Sequence, residues 1–136
     1  MKKKINIVFE ESRFGGPQNH FCKINKELKK KYVLTYFINK DNSSIFLKKL
    51  KQTKVKIKKF SINFLEKGLL KILLYIFFFI PDIFKIKNLI NEDNPDLIHI
   101  VGGVFSLKTF IAATLTKKKI IWHITDSQSP LILKFF

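Results

Sequence analysis

Cysteine and arginine are scarce in this sequence. Cys22 is the only cysteine in 136 residues, so an internal disulfide is excluded. Arg13 is the only arginine, and lysine carries almost all of the formal net charge of +16. Dedicated phosphate recognition more often uses arginine, whose planar fork grips phosphate at two points. The charge therefore predicts attraction to anionic surfaces such as a membrane, and it argues against specific nucleic-acid recognition.

The sequence also lacks an apolar run of about 20 residues, the length that a membrane-spanning helix needs. Its most apolar stretch, residues 68–80, contains Lys71 and ends at Pro81. Two interpretations of this stretch remain open. It is either a helix buried against the sheet or a helix lying partly in a membrane interface, with Lys67 and Lys71 beside it. We expect burial, because core helices are commoner than interfacial ones.

The histidines lack the spacing of a metal site. No pair of His20, His99 and His123 lies within one element at zinc-ligand spacing, so we expect no metal site. We expect no cofactor either. His99 lies among apolar residues and is predicted to be a satisfied core histidine. His123 and Thr125 share one side of an extended strand, and Asp126 follows them. A histidine with a nearby carboxylate can move protons, which makes these three residues catalytic candidates.

Segments typical of strands and helices alternate along the whole chain. Strands are predicted at 5–9, 32–38, 54–58, 97–101 and 120–124, and helices at 17–31, from 44, at 68–80, from 81, from about 106 and after 130. The lysines of segment 54–58 suit an edge strand. This alternation predicts an α/β fold in one domain, residues 1–136, with a parallel sheet and helices on both faces.

A glycine-containing loop, residues 13–20, lies between the first predicted strand and the first predicted helix. Gly15 and Gly16 allow a ligand to approach the backbone, and the free N–H groups of a first helical turn favour anions. Pro17 suits the first helical position, where a missing N–H has no cost. The order of strand, glycine turn and helix indicates a phosphate site, although Gly-Gly-Pro also occurs in ordinary loops.

Three predicted loops, 10–17, 102–105 and 125–130, follow strands and therefore meet at the carboxyl edge of the sheet. Open parallel sheets bind ligands at this edge, where the strand order reverses. We therefore predict a ligand site there. Glu10 and Glu11 are interpreted as closing the first strand rather than as facing a ligand.

Three blocks of the sequence resemble the amino-terminal domain of a family-four glycosyltransferase with the GT-B fold. They are a Gly-Gly-x-x-x-His loop at 15–20, a Pro-Asp-Leu-Ile-His segment at 95–99 and the strand and turn at 120–126. Together they extend over nearly the whole chain, in the order found in the family. Two positions depart from the family pattern: Thr125 replaces a frequent histidine, and Val101 replaces a second one.

The resemblance implies a Rossmann-like domain forming the N-terminal half of a GT-B fold. The enzyme would transfer a sugar from a nucleotide-sugar donor to a cell-envelope glycan or a lipid-linked acceptor. The residues assigned on this basis are Gly15 and Gly16 for the donor phosphates; Gln18, Asn19, His20, Gly102 and Gly103 for the acceptor; and His123, Thr125 and Asp126 for catalysis.

The family's C-terminal domain, which makes most of the sugar-nucleotide contacts, has no counterpart in the 136 residues. We therefore expect a truncated or split enzyme that is inactive alone and has a separate C-terminal donor domain as its partner. The expected location is the cytoplasm, and peripheral attachment to the inner face of the plasma membrane is left open.

Two other classes of protein remain as alternatives. A non-enzymatic basic α/β module would bind an anionic membrane surface or nucleic acid, and its binding would collapse with added salt. A different nucleotide-binding α/β protein would carry an acid about 20 residues after the glycines, to bind the ribose. Thr35, Tyr36 and Phe37 stand near that position, which disfavours this class.

Overall fold

The computed structural model describes residues 1–11, 13–103 and 106–125. Its strands are β1 (Lys3–Phe9), β2 (Tyr32–Asn39), β3 (Lys56–Phe60), β4 (Leu97–Val101) and β5 (Lys119–His123). Its helices are α1 (Gly16–Lys31), α2 (Ser44–Gln52), α3 (Leu69–Phe77), α4 (Phe79–Asp93) and α5 (Leu107–Thr114). The helix predicted after residue 130 lies outside the described residues.

The five strands form one parallel sheet in the order β3-β2-β1-β4-β5. β1 pairs with β2 on one side and with β4 on the other. The chain moves outward from β1 to β3, then crosses back to β4 and continues to β5. The order therefore reverses between β1 and β4, which confirms the predicted Rossmann-like α/β fold.

Helices cover both faces of this sheet, as predicted. Alternation along β1 sends Ile7 and Phe9 to the face covered by α1 and α2, where Phe21 and Phe46 pack against them. The opposite face receives Val8, together with side chains of α4 and α5. Two apolar clusters thus form, one on each side of a sheet whose central strand is buried on both faces.

The edge strand β3 begins two residues later than predicted. Lys54 has a positive φ of 53° in the turn after α2, so the chain becomes extended only from Lys56. The lysines of β3 lie at an open edge of the sheet, where charged side chains discourage pairing with another chain. The prediction of an edge strand is confirmed.

The prediction that the most apolar segment is buried is wrong. That segment forms α3 and the start of α4, and no residue of α3 is buried. α4 begins at Phe79 rather than at Pro81, directly after the break at Phe78. None of the helices in the described part of the chain combines the length and the apolarity needed to cross a membrane.

A buried ion pair joins α4 to α5 on the same side of the sheet. Lys108 is fully buried, and its Nζ lies 2.7 Å from Oδ2 of Asp82. Lys108 also donates a hydrogen bond to the carbonyl of Asn63, and its Nζ lies 4.0 Å from the centre of the Tyr75 ring. This one lysine therefore contacts α3, α4 and the loop after β3.

We expect Lys108→Met to lower the free energy of unfolding by about 3–5 kcal/mol, because it leaves the buried Asp82 carboxylate without its cation. Adding Asp82→Asn should recover part of the loss, since the unpaired charge is then removed. Urea unfolding followed by circular dichroism measures both. Lys30→Met, which removes an exposed lysine paired with Glu27, is the control and should change stability by less than about 1 kcal/mol. Equal losses for the single and double variants would contradict the ion-pair interpretation.

Candidate functional site

The carboxyl ends of β1, β4 and β5 lie side by side, because Phe9 is in register with Val101 and Val101 with His123. Gly102, the residue after β4, donates its N–H to the carbonyl of His123 over 3.2 Å. The described parts of the three loops therefore share one edge, as the sequence predicted. From this edge, α1 leaves towards one face and α5 towards the other, which opens a crevice between β1 and β4.

The first turn of α1 faces open space. Gly15 is the residue before the helix, and its N–H donates to Oε1 of buried Gln18 over 3.0 Å. A Cβ added to Gly16 would meet nothing within 4 Å. Helix geometry leaves the N–H groups of Gly16 and Gln18 without intrahelical acceptors. Pro17, which lies between them, has no N–H group. This turn suits an anion; the assignment of Gly15 and Gly16 to donor phosphates stays a prediction.

The turn after β4 requires glycine for a different reason. Gly102 has a φ of +150°, and a Cβ there would stand 2.3 Å from Oγ of Ser106. The close approach sets where α5 begins. Gly102 and Gly103 are both buried, so an acceptor would reach them only through a change in the loop. Their assignment to the acceptor stays a prediction.

Two of the candidate acceptor residues take part in contacts within the protein. Gln18 holds the N–H of Gly15, as described above. Oδ1 of Asn19 accepts a hydrogen bond of 3.1 Å from Nζ of Lys49 in α2, and this Nζ lies 4.8 Å from the centre of the Phe14 ring. These contacts fix the start of α1 against α2 and leave His20 as the exposed member of the group.

The structure brings His20 and His123 to one cavity, although they are 103 positions apart in the chain. The cavity, called here the α1–β5 groove, has a volume of about 550 Å³ and runs along α1 above β1, β4 and β5. A row of rings lines one end: Phe21 lies 6.0 Å from His20, 5.1 Å from His99 and 6.4 Å from His123. Thr125 is exposed just beyond β5, and Asp126 lies outside the described residues.

His99 differs from the satisfied core histidine predicted for it. Its ring is half-buried and lies 5.9 Å from the ring of His123. Among the described residues, none forms a hydrogen bond with its buried Nε2. Burial, followed by the neighbouring His123, lowers the pKa of His99 to about 4. His99 is therefore neutral at physiological pH and able to accept or donate one hydrogen bond within the groove.

Glu10 is a buried polar residue at this edge that the sequence interpretation undervalued. Its Oε2 accepts hydrogen bonds from the N–H of Thr109 at 3.2 Å and from Oγ1 of Thr109 at 2.7 Å. It thereby caps the first turn of α5 from across the crevice. Burial raises the pKa of Glu10 to about 7, against the opposing effect of the Thr109 hydrogen bonds. The sequence feature that could have indicated this role is an acidic residue placed directly after a buried strand.

Glu10 also lines a second cavity, called here the edge cavity, with a volume of about 730 Å³. Glu11 and Arg13 of the first loop, residues 64–67 and Ile72 of α3 complete its walls. Arg13 is exposed, and its Nη2 lies 3.0 Å from Oε1 of Glu11. Acidic and basic groups therefore meet at an opening beside the crevice. Within the described ranges, no group of three or more histidine, cysteine or acidic residues is arranged to hold a metal ion.

Comparison with solved structures shows the fold. A glycosyltransferase from Rickettsia africae superposes with a TM-score of 0.68 at 18% identity, over 98% of this chain and 33% of that one. HepE from Anabaena, in complex with UDP and glucose, superposes with a TM-score of 0.64 at 20% identity, over 98% of this chain and 32% of that one. A putative UDP-N-acetylglucosamine 2-epimerase from Listeria monocytogenes superposes with a TM-score of 0.58 at 16% identity, over 90% and 31%.

The chain thus spans about a third of the length of these structures. Its α/β Rossmann-like fold matches GT-B glycosyltransferase folds over that third. No family model and no curated protein matches the sequence. The similarity to these structures shows the fold of this chain alone and identifies neither its substrate nor its partner.

We expect Glu10→Gln to raise the free energy of unfolding at pH 8 and to leave it almost unchanged at pH 4.5. The folded-state pKa of about 7 exceeds the ordinary value of 4.5. The stability that protonated Glu10 provides is therefore complete below pH 4.5 and is lost as the pH rises to 7, amounting to about 3 kcal/mol.

Urea unfolding at pH 4.5, 6 and 8 tests this expectation. The contribution of His99 is common to both proteins and cancels in the difference. Glu27→Gln, at an exposed position on α1, removes the same charge and serves as the control. A difference between wild type and Glu10→Gln that does not depend on pH would contradict the assignment.

Proposed function

We propose that this chain is the acceptor-side domain of a retaining glycosyltransferase. It acts with a C-terminal donor domain to transfer a sugar from a nucleotide-sugar donor to a cell-envelope glycan or a lipid-linked acceptor. The observation that carries the proposal is the open first turn of α1 beside the β1–β4 crevice. This turn belongs to a fold that covers nearly the whole of this chain and is shared with HepE, a protein solved with UDP and glucose.

Breaking a nucleotide sugar leaves negative charge on the departing diphosphate. Fixed N–H groups and cations placed where that charge develops lower the barrier. In this chain the N–H groups of Gly16 and Gln18 and the exposed guanidinium of Arg13 lie at the edge that would receive it. The proposed role of this loop is therefore to stabilise the leaving group, while the donor domain would hold the nucleotide and the sugar.

The acceptor hydroxyl must lose a proton during transfer. His123 is the candidate base, because it ends β5 at the groove that also holds His20. The ring of neutral His99 lies 5.9 Å from the His123 ring and stacks on it, which supports the position of His123. Thr125 and Asp126 follow in sequence, and their roles remain part of the proposal.

The structural similarity to the Listeria monocytogenes epimerase gives a second candidate function. Such an enzyme would invert a centre of the nucleotide sugar and would use no acceptor. Incubating the chain with UDP-N-acetylglucosamine and following the sugar by NMR would detect either reaction. We expect neither epimerisation nor sugar transfer from the chain alone, since most of the donor contacts belong to the C-terminal domain. Turnover of either kind by the isolated chain would overturn the proposed need for that domain.

We expect UDP to shift the backbone amide signals of Gly15, Gly16 and Gln18 in a ¹H–¹⁵N NMR titration, since the N–H groups of Gly16 and Gln18 are proposed to bind its phosphates and Gly15 adjoins them. Gly16→Glu should weaken UDP binding at least tenfold, because the new carboxylate adds bulk and repels the phosphates. An acid in the first helical turn opposes the macrodipole favourably, so the fold should be retained.

The matched control is Gln52→Glu, which makes the same change of charge at the far end of α2. Gln52 adjoins Thr53, whose carbonyl accepts a hydrogen bond from Lys29, roughly 20 Å along α1 from Gly16. It should bind UDP as wild type does. If UDP leaves the three amides unchanged at millimolar concentration, or if both variants lose binding equally, the phosphate site is refuted.

A further inference from the structure

The side of α3 that faces solvent is its most apolar side. Five of its residues are largely exposed: Leu69 at 76%, Leu70 at 69%, Leu73 at 54%, Ile76 at 64% and Phe77 at 76%. Leu69, Leu73, Ile76 and Phe77 are spaced i, i+4, i+7 and i+8, which places them in one stripe along the helix. A stripe of this composition normally lies in a core.

Two more exposed apolar residues lie in the first turns of α4, which follows α3 directly after Phe78: Ile80 and Phe84 are 58% and 51% exposed. The five α3 residues named above and these two together form what is called here the α3 face. Isolated exposed apolar residues are normal on a soluble protein, whereas a contiguous group across two helices marks an interaction site.

The opposite side of α3 is attached to the protein, so the α3 face is held outward. The Tyr75 ring lies 5.6 Å from the Phe79 ring and 4.0 Å from Nζ of the buried Lys108. Leu74 and Tyr75 are half-buried. Turning the apolar stripe inward would break the contacts of Tyr75 with Phe79 and with Lys108, the residue that pairs with Asp82. The orientation is therefore fixed by the interior of the protein.

The exposed charged residues nearest to the α3 face in sequence are mostly positive. In residues 61–91 the lysines are Lys67, Lys71, Lys85 and Lys87, and the only exposed acid is Glu66, which pairs with Lys71 at 3.2 Å. Apolar side chains bordered by cations match a surface that offers phosphates above an acyl interior. A second copy of this chain would instead bring lysines against lysines.

We propose that the α3 face docks on an anionic lipid bilayer, with α3 lying in the plane of the interface. Nine residues extend roughly 14 Å, so the helix enters the headgroup region without crossing. Docking stands independently of sugar transfer. If the proposed function also holds, it gives a use for the edge cavity, because Ile72 of α3 lines that cavity and would bring it close to a lipid-linked acceptor.

The test is flotation of the full chain with large unilamellar vesicles, either of phosphatidylglycerol mixed with phosphatidylcholine or of phosphatidylcholine alone. We expect binding to the mixed vesicles. The triple variant Leu69→Gln, Leu73→Gln and Phe77→Gln should bind them at least tenfold more weakly, since three apolar contacts with the bilayer are lost. Because these side chains are exposed, thermal melts should show that the variant folds.

Two matched controls test whether binding depends on the α3 face itself. Val33→Gln, Ile45→Gln and Leu115→Gln together remove three exposed apolar side chains elsewhere and should leave binding unchanged. Lys67→Gln with Lys71→Gln should weaken binding to the anionic vesicles, by roughly fivefold for each lysine. The corresponding pair Lys26→Gln with Lys31→Gln, exposed on α1, should weaken it less.

Three results would overturn the proposal. One is unchanged binding by the α3 triple variant, which would assign vesicle attraction to the overall charge of +16. Another is an absence of binding to the mixed vesicles by the wild-type chain. The third is a lipid-free dimer, seen by sedimentation velocity, that the α3 variant abolishes; this would make the face an interface between copies. None of these measurements uses a sugar nucleotide, so their failure leaves the proposed function to its own test.

Discussion

The pairing of β1 on both of its edges constrains the rest of the structure. Its backbone bonds to β2 and β4, and its side chains are buried on both faces, so the strand has no freedom to shift in register. With β1 fixed, the crossover to β4 must reverse the strand order beside it. The crevice at Glu10 and Gly102, and the space in front of Gly16, follow from that reversal.

The buried titratable groups near this edge act in opposite directions. Protonated Glu10 contributes stability that is lost between pH 4.5 and 7, while neutral His99 contributes stability that is lost as the pH falls from 6.5 towards 4. The two trends offset each other over much of the acid range. Glu10 contacts α5 on one face of the sheet, and His99 faces the α1–β5 groove on the other. Each face therefore has one buried or half-buried group that is more stable in its neutral form.

The buried Lys108 connects the sheet edge to the inner side of α3. It pairs with Asp82, contacts the Tyr75 ring and lies one residue before the Thr109 that binds Glu10. The position of α3 is thus coupled to the groups that line the edge cavity. The fold itself does not separate a transferase from an epimerase, because both kinds of protein build the same sheet.

The alternation of apolar segments, turns and lysines in the sequence by itself determined the parallel sheet, its helices on both faces, the edge position of β3 and the shared edge of the three loops. These are consequences of local periodicity and of chain direction. Only the tertiary structure decided that α3 is exposed, that Glu10 caps α5 and that Lys108 is buried against Asp82. Periodicity shows that a helix has an apolar side, but the partner of that side depends on contacts distant in sequence. A lysine or glutamate becomes buried only where another element supplies its counter-charge or hydrogen bonds.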